Sequence, residues 1–255
     1  MTTKHRTRGF VFKKTDVAEA DRIFSVVTED FGRLEIRGKA IRKINSKLRA
    51  GVDLFCFSEI EFIQGKNNKT LTDSAKIDKF GNKGKDMEKV KIACQISDAL
   101  DNFIKGQEKD ESIWNLLIET FEKLNNSSIK PKKLNMIYYY FLWNFYSLLG
   151  YRPEVQKCIA CKNKLNPCAV YFSNKEGGVI CANCAKHGNG SQKINSDIVK
   201  VLRLILKKDW QTISRLKTEP PLADMLKETS AHYGLYLLSS HSFKSGLRNP
   251  AGVVE

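Results

Sequence analysis

The sequence predicts an α+β protein: an N-terminal OB-fold-like β-barrel, then an α-helical domain that carries a four-cysteine, zinc-ribbon-like element. Three observations predict this class. Short β-branched and aromatic segments fill residues 8–80, apolar residues recur at helical spacing from residue 86, and two Cys-x-x-Cys pairs interrupt the helical part. The expected domains are the barrel at 1–80, a helical domain divided into 81–157 and 188–245, the metal element at 158–187 and a tail at 246–255.

Five segments of the N-terminal region have the composition of strands. Five strands in about 70 residues suit a small closed barrel, of which the OB-fold is the common nucleic-acid-binding kind. Strand count alone leaves an SH3-like barrel open as an alternative. The expected strands are 9–13, 22–28, 33–41, 52–63 and 69–77.

The third expected strand begins a strongly cationic segment. Leu34, Ile36 and Ala40 are expected on one face of this strand, and its charged residues on the other. In a chain of net charge +15, such a segment in a barrel favours binding to the phosphates of DNA. A solvated strand edge protected by lysine and arginine would have a similar composition. The candidate DNA-binding residues are Arg33, Arg37, Lys39, Arg42, Lys43, Lys47 and Arg49, accompanied by the single anion Glu35.

Helical periodicity begins near Asp86. The first apolar stripe predicts that Cys94 is a small buried residue, and it consists of Met87, Val90, Cys94, Leu100, Phe103 and Ile104. Asp110 is a candidate N-cap of the second helix. A third helix at 131–149 is aromatic on nearly every side, so we expect it at the centre of the bundle, ending at Gly150.

Two further helices are expected after the metal element. Asn195 or Ser196 is positioned to cap a helix that runs to Lys208, and Pro220 and Pro221 to begin a helix over 222–239. The outer face of the first of these carries a row of cations. Such a row is usually a solvated face and less often a contact for an anionic partner. Its members are Lys200, Arg203 and Lys207.

Two cysteine pairs have the spacing of a four-thiolate zinc site. Cys158 and Cys161 form the first pair and Cys181 and Cys184 the second, and a predicted hairpin over 169–180 carries the second pair back towards the first. Two such turns supply a closed tetrahedron with Zn–S distances of about 2.3 Å. We therefore expect one structural zinc per chain, with Cys168 and His187 as rival ligands. Disulfides would require an oxidising compartment, and the N-terminus has no apolar stretch typical of a signal peptide.

Composition and charge indicate the partner class. The positive excess implies a polyanion, most often nucleic acid, with a membrane surface as the competing anion. The longest apolar run, 136–149, is too short to span a bilayer, so we expect no membrane segment and a cytoplasmic location. A phosphate loop, a His-Glu-x-x-His motif and a Gly-x-Ser-x-Gly motif are all absent from the sequence, so we assign no catalytic residues.

The order of these parts resembles the RecO family of bacterial recombination and repair proteins. Short motifs carry the resemblance along nearly the whole chain. The most specific is Leu-Gly-Tyr-Arg-Pro leading to Cys158, and the others are Asp-Arg-Ile-Phe-Ser-Val-Val-Thr at 21–28, Arg-Gly-Lys-Ala-Ile-Arg-Lys at 37–43 and Gly-Gly-Val-Ile-Cys-Ala-Asn-Cys at 177–184.

The resemblance implies a mediator of DNA repair that is not an enzyme. Members of the family bind single- and double-stranded DNA and anneal complementary strands. With RecR they help RecA to load onto DNA coated by single-strand-binding protein (SSB), whose acidic C-terminal tail they contact. Carried over to this chain, DNA binding falls on the Arg37–Arg49 segment and metal binding on the four paired cysteines. The segment 232–240 follows the family pattern only loosely, so no residues are assigned to the SSB tail.

Two other functions stay open at this point. A zinc-ribbon and OB-type module of translation or transcription would bind structured RNA, and the relative affinity for single-stranded DNA and an RNA hairpin separates that function from repair. A DNA ligase or nuclease also combines such modules. A ligase needs a Lys-x-Asp-Gly motif, which this sequence lacks, and a nuclease would cut DNA in a metal-dependent way.

Overall fold

The computed structural model describes residues 3–66, 68–79, 87–126, 129, 131–186, 190–217 and 219–245. The chain divides into two compact units, Met1–Phe141 and Leu142–Glu255, and each is described by itself below. The predictions for His187 and for the tail at 246–255 fall outside the described residues. Within the described ranges, no helix has both the length and the apolar character needed to cross a bilayer.

Unit 1 begins with five strands that close into a barrel in the order β1-β2-β3-β5-β4. Neighbouring strands are antiparallel except β3 and β5, which pair in parallel. This arrangement confirms the predicted OB-like fold. The strands are β1 (Thr3–Val17), β2 (Asp21–Thr28), β3 (Gly32–Gly38), β4 (Cys56–Gln64) and β5 (Lys69–Lys79).

Strand β1 is the strand that closes the barrel. It is long enough to pair with β4 from Thr3 to Phe10 and with β2 from Gly9 to Val17, and an irregularity in register between Val11 and Lys13 follows directly after the overlap of the two pairings. An extra residue at such a point increases the local bend and twist that closure requires. The strands enclose an apolar core that includes Val11, Phe24, Val26, Leu34, Ile36, Ile60 and Phe62.

Strand β3 ends earlier than the sequence indicated. Leu34 and Ile36 point into the core as predicted, but the strand stops at Gly38 and Ala40 lies in a turn with a φ of 51°. The Ala40 N–H donates to the Asp21 carboxylate at 2.7 Å, which holds this turn against the start of β2. The second half of the cationic segment is therefore a loop, with a short 3-10 turn at Lys47–Ala50.

Two helices follow the barrel, α1 (Met87–Phe103) and α2 (Glu111–Asn125). The buried face of α1 carries Ile92, Ala93, Ile96 and Leu100, whereas Met87 is 76% exposed and Cys94 is exposed. The predicted stripe is therefore wrong for Met87, Val90 and Cys94, whereas Leu100 is buried as predicted. At 3.6 residues per turn, Leu100 lies on the same face as Ile92 and Ile96, opposite Met87 and Cys94.

Helix α2 packs against one wall of the barrel through aromatic contacts. The ring of Phe121 lies 4.4 Å from that of Phe10 on β1, and Trp114 makes an edge contact with Phe57 on β4. The Asp110 carboxylate accepts a hydrogen bond from the Ile113 N–H at 3.0 Å, so the predicted N-cap is confirmed.

Helix α3 (Leu134–Leu148) crosses the division between the units and follows a 3-10 turn at Pro131–Lys133. Most of its aromatic residues are buried, including Tyr140 and Trp143, as the apolar composition on nearly every side predicted, and Tyr138 is half-buried. Gly150 has a φ of 89° and the Tyr151 N–H donates to the Tyr146 carbonyl at 2.8 Å, which ends the helix as predicted.

Unit 2 builds a three-stranded sheet and four helices behind the end of α3. The Trp143 indole stacks on Tyr233 at 5.3 Å and donates from Nε1 to the Ser230 hydroxyl at 2.9 Å. Asn195 caps α5 as predicted, whereas α4, β8 and α6 were not predicted. The elements are β6 (Val170–Ser173), β7 (Gly178–Cys181), α4 (Ala182–Lys186), β8 (Ser191–Ile194), α5 (Ser196–Leu206), α6 (Trp210–Arg215) and α7 (Pro220–Ser245).

Candidate metal centre and cationic surface

The first cysteine pair lies on a turn that is fastened to the sheet of unit 2. The Cys158 N–H donates to the Asn163 carbonyl and the Lys162 N–H donates to the Cys158 carbonyl, at 2.9 and 2.8 Å. Lys162 has a φ of 63°, which closes the turn, and the Ile159 N–H donates to Val179 on β7 at 2.9 Å. Cys161 therefore projects from a turn whose position β7 determines.

The second pair is delivered by the hairpin of β6 and β7. Ser173 pairs with Gly178 and Val170 with Cys181, so Cys181 is the last residue of β7. Cys184 follows within the short helix α4. Gly178 is required here, because a Cβ at this position would lie 2.6 Å from the Glu154 carbonyl oxygen of the chain that leads to the first pair.

The four paired cysteines converge on one point. Their Sγ atoms all lie within 4.8 Å of one another, and Cys161 and Cys181 are 3.8 Å apart. A tetrahedron with Zn–S bonds of about 2.3 Å has sulfur–sulfur edges of about 3.8 Å, so the donor set fits a tetrahedral, thiolate-preferring metal ion. Cys168 is exposed and is not part of this cluster.

The protein favours one thiolate in the cluster and disfavours further ones. Burial of Cys158 opposes its ionisation, but N–H groups of Cys161, Cys181 and Ala160 directed at its sulfur lower its pKa to about 6. Hydrogen bonding to the sulfurs of Cys181 and Cys161 raises the pKa of Cys184. Several thiolates at this spacing need a cation among them, and with four protein ligands the ion has no open position for a substrate. The arrangement can hold a metal ion that stabilises structure.

The side chains of the cationic segment differ in whether neighbouring residues bind their charged groups. Arg33 is held most firmly: its side chain is 15% exposed, and its guanidinium donates to the Ile104 carbonyl at 2.6 Å and the Asp101 carboxylate at 2.8 Å. It also lies 5.1 Å from the centre of the Phe12 ring. This geometry fastens the end of α1 to the barrel and leaves Arg33 little capacity for a ligand.

Arg37 and Arg42 are partly held. Arg37 binds the Asp21 carboxylate at 2.8 Å, and Arg42 lies 3.5 Å from the Asp16 carboxylate. The remaining four cations are exposed, and no hydrogen bond or ion pair within the described residues holds their charged groups. They are Lys39, Lys43, Lys47 and Arg49.

Arg22 is a cation that sequence reasoning did not include. It lies at the start of β2, yet it lines a cavity of about 120 Å³ together with Ile41, Arg42 and Arg49. The expected first strand ends at residue 13, so nothing in the sequence indicated that β1 continues to Val17 and places Asp16 opposite Arg22. Its approach to Arg42 depends on the turn after β3, which periodicity does not reveal.

Two of the three cations expected in a row on α5 form hydrogen bonds or ion pairs within unit 2. Arg203 donates to the carbonyls of Val155 and Gln156 at 2.7 and 3.2 Å, and Lys200 pairs with Asp197 at 2.8 Å. Lys207 is exposed just beyond the helix. Arg203 thus fastens the chain that precedes the first cysteine pair.

Comparisons with known proteins cover nearly the whole chain. Residues 1–80 match the family model described as recombination protein O N terminal, and residues 84–246 match recombination protein O C terminal. The chain is similar to a protein of Dehalococcoides mccartyi strain 195, 34% identical over 219 residues, 85% of each chain. It is also similar to proteins of Syntrophomonas wolfei, 27% identical over 83% of this chain and 82% of the relative, and of Halalkalibacterium halodurans, 25% identical over 92% of each. All three relatives are named DNA repair protein RecO.

Proposed function

Because this chain belongs to the RecO family of DNA repair proteins, we propose that it is a recombination mediator that binds DNA and anneals complementary strands without catalysing a covalent reaction. Its ligands are single- and double-stranded DNA. With RecR it helps to load RecA onto single-stranded DNA coated by SSB, and it contacts the acidic tail of SSB. It works in the cytoplasm.

One observation carries the DNA-binding part of this proposal. An OB-type barrel presents Lys39, Lys43, Lys47 and Arg49 from one loop, with their charged groups exposed and unheld. Side chains whose donors are all engaged gain little from a phosphate, whereas lysine and arginine with unused donors displace condensed counterions from the DNA when they bind a phosphate. The DNA-binding residues are therefore these four, with Arg37 and Arg42 beside them, and Arg33 is excluded from the set.

Annealing follows from charge and base pairing alone. Two DNA strands repel each other, and a protein of net charge +15 lowers that repulsion when it binds both. Base pairing then supplies about 1.4 kcal/mol per stacked step. No nucleotide hydrolysis is needed, which agrees with the absence of a phosphate-loop sequence. The acidic tail of SSB is attracted by the same positive charge.

The metal in this proposal is one zinc ion per chain with a structural role. Cys158, Cys161, Cys181 and Cys184 would hold it, and it would supply a cross-link between the turn before β6 and the end of β7. The spacing of the sulfurs supports this assignment, because four Sγ atoms within 4.8 Å of one another match the corners of a tetrahedral zinc–thiolate site.

The test is annealing of complementary oligonucleotides, each coated with SSB, followed by fluorescence with and without ATP. We expect faster annealing than with SSB alone, at the same rate whether or not ATP is present. Strict ATP dependence, or no acceleration, would contradict the proposal. A parallel measurement of affinity for single-stranded DNA and for an RNA hairpin tests the alternative RNA-binding function.

A further inference from the structure

The cavity beside Arg22 has the composition of an anion site. It has a volume of about 120 Å³, and its lining consists of Arg22, Ile41, Arg42 and Arg49. A cavity needs only about 10–15 Å³ of such volume to hold one water molecule, so this one has room for a larger polar group such as a phosphate. Three arginines around so small a space favour an anion, either from the protein or from a ligand.

The protein supplies one carboxylate, and its position orients two of the arginines. One Asp16 oxygen accepts from Arg22 Nε at 2.6 Å, and the other lies 3.5 Å from Arg42 Nε. The carboxylate thus holds two like-charged side chains together at the rim of the cavity. Arg42 is further fixed by its backbone N–H, which donates to the Ala20 carbonyl at 3.0 Å, and by a long contact of Nη1 with the Glu19 carbonyl at 3.4 Å.

This arrangement leaves donors available. Arg22 uses Nε for Asp16, and no bond within the described residues uses its two η nitrogens. The Arg49 guanidinium has no hydrogen bond or ion pair there either. Ile41, 2% exposed, forms an apolar wall, and a low-dielectric wall strengthens the attraction between the guanidinium groups and a bound anion. One carboxylate against three guanidinium groups leaves the cavity with an uncompensated positive charge.

We propose that this cavity is a phosphate pocket that binds one phosphate group of a nucleic-acid strand, with Arg22, Arg42 and Arg49 as its ligands. Asp16 is a positioning residue, since it acts by orienting Arg22 and Arg42. Guanidinium groups suit this role because each presents a planar fork of donors to the oxygens of a phosphate. The proposal rests on the proposed DNA-binding function and adds a defined anchor to it, outside the 33–49 segment at Arg22.

The test compares Arg22→Gln with Arg6→Gln by anisotropy of labelled single-stranded DNA over a range of salt concentrations. Arg6 is the matched control, because it is also a barrel arginine with one carboxylate partner, Glu59 at 2.8 Å, and the substitution removes the same charge. It lies ten residues from Asp16 along β1, about 30 Å in an extended strand. We expect Arg22→Gln to weaken binding several-fold and to flatten the slope of log K against log salt by about 0.7, the value for one phosphate contact.

Arg22→Lys guards against an effect on folding. Lysine keeps the positive charge but lacks the planar set of guanidinium donors. A phosphate pocket therefore predicts that Arg22→Lys has reduced affinity for DNA, whereas a general positive field predicts an unchanged affinity. Equal affinities and slopes for Arg22→Gln and Arg6→Gln would overturn the pocket. If neutralisation of Lys43 and Lys47 still weakened binding in that case, DNA binding would stand without the pocket. If it did not, the proposed function would itself be contradicted.

Three ligands distinguish the source of the phosphate. Equal, Arg22-dependent affinity for oligonucleotides with a 5′-hydroxyl and a 5′-phosphate would assign the pocket to an internal backbone phosphate. Tighter binding of the 5′-phosphate form would assign it to strand ends. Competition by inorganic pyrophosphate that Arg22→Gln abolishes supports a phosphate pocket in either case, and competition that is the same in both proteins would contradict it.

Discussion

The cysteine cluster of unit 2 and the cationic segment of unit 1 are opposite kinds of polar site. In the cluster the polar atoms contact one another: the four sulfurs lie within 4.8 Å of one another, and the backbone N–H of Cys181 donates to the Cys158 sulfur. In the segment, Lys39, Lys43 and Lys47 extend into solvent without a hydrogen bond or ion pair among the described residues. Groups that satisfy one another stabilise a fold, and groups left exposed remain available for a ligand.

Arg33 shows why this distinction is needed. Its place in the sequence associates it with the DNA-binding cations, but its contacts resemble those of the cysteine cluster. A group with several internal partners loses those partners if it turns to a ligand. We therefore expect the number of contacts that a cation makes within the fold to separate the two roles better than its position in a charged run.

The largest expected effect is at the closed site. Cys158→Ser should abolish stoichiometric zinc binding and remove several kcal/mol of stability from unit 2, because the apparent binding free energy of a structural zinc is about 10–16 kcal/mol. Elemental analysis and thermal unfolding measure the two effects. Cys168→Ser is the matched control, since Cys168 is exposed and outside the cluster. Full zinc occupancy in a Cys158→Ser, Cys184→Ser double variant would refute the assignment.

The second effect tests whether Arg33, like the cysteine cluster, stabilises the fold and does not bind DNA. Arg33→Gln should destabilise the protein by about 2–4 kcal/mol, because the Ile104 carbonyl loses its side-chain donor and the Asp101 carboxylate keeps only Lys13. Urea unfolding measures this loss. The control is Arg6→Gln, which breaks the exposed ion pair with Glu59 and should lower the free energy of unfolding by less than about 1 kcal/mol. The salt slope of DNA binding should stay unchanged in folded Arg33→Gln, and a flatter slope would return Arg33 to the DNA-binding set.

The third effect tests the exposed site. Replacing Lys43 and Lys47 by Gln should flatten the salt slope on single-stranded DNA by about 1.4, since each lost phosphate contact contributes about 0.7. The free energy of unfolding should change by no more than about 0.5 kcal/mol. Lys4 and Arg6 replaced by Gln remove the same charge from cations that are already paired with Glu61 and Glu59. Equal slopes in the two double variants would show that the segment is only a solvated edge.

The smallest effect concerns pH in unit 1. Burial raises the pKa of Asp101, but hydrogen bonds from Lys13 and Arg33 outweigh it and the pKa is lowered. A carboxylate with a lowered folded pKa stabilises above its unfolded value of about 3.9, and this stabilisation is lost as pH falls towards the folded pKa. The stability difference between the natural protein and Asp101→Asn should therefore shrink below about pH 4. Urea midpoints at pH 7, 5 and 3 measure it, and a constant difference would contradict the ion pairs.

The sequence by itself determined the features that depend on local geometry. The barrel strands, the Asp110 and Asn195 caps, the end of α3 at Gly150 and the four clustered cysteines follow from alternation, capping and spacing over a few residues. Such signals are strong because one turn or one strand pair realises them. Metal-ligand spacing is the clearest case, since a Cys-x-x-Cys turn and a short hairpin largely define the tetrahedron.

Only the tertiary structure decided which of several similar side chains are buried or paired and which are exposed. Helix α1 has apolar residues on two faces, and packing buried the face with Ile92 and Ile96, whereas Cys94 lies on the exposed one. Arg33 and Lys43 have the same charge and lie in the same cationic segment. The end of α1 packs beside Arg33 and binds it through Asp101, whereas Lys43 has no hydrogen bond or ion pair among the described residues. Arg22 joined Arg42 and Arg49 because the turn after β3 folds back on the start of β2. These outcomes depend on residues distant in sequence, and the free energy of burying or pairing a side chain exists only once those residues meet.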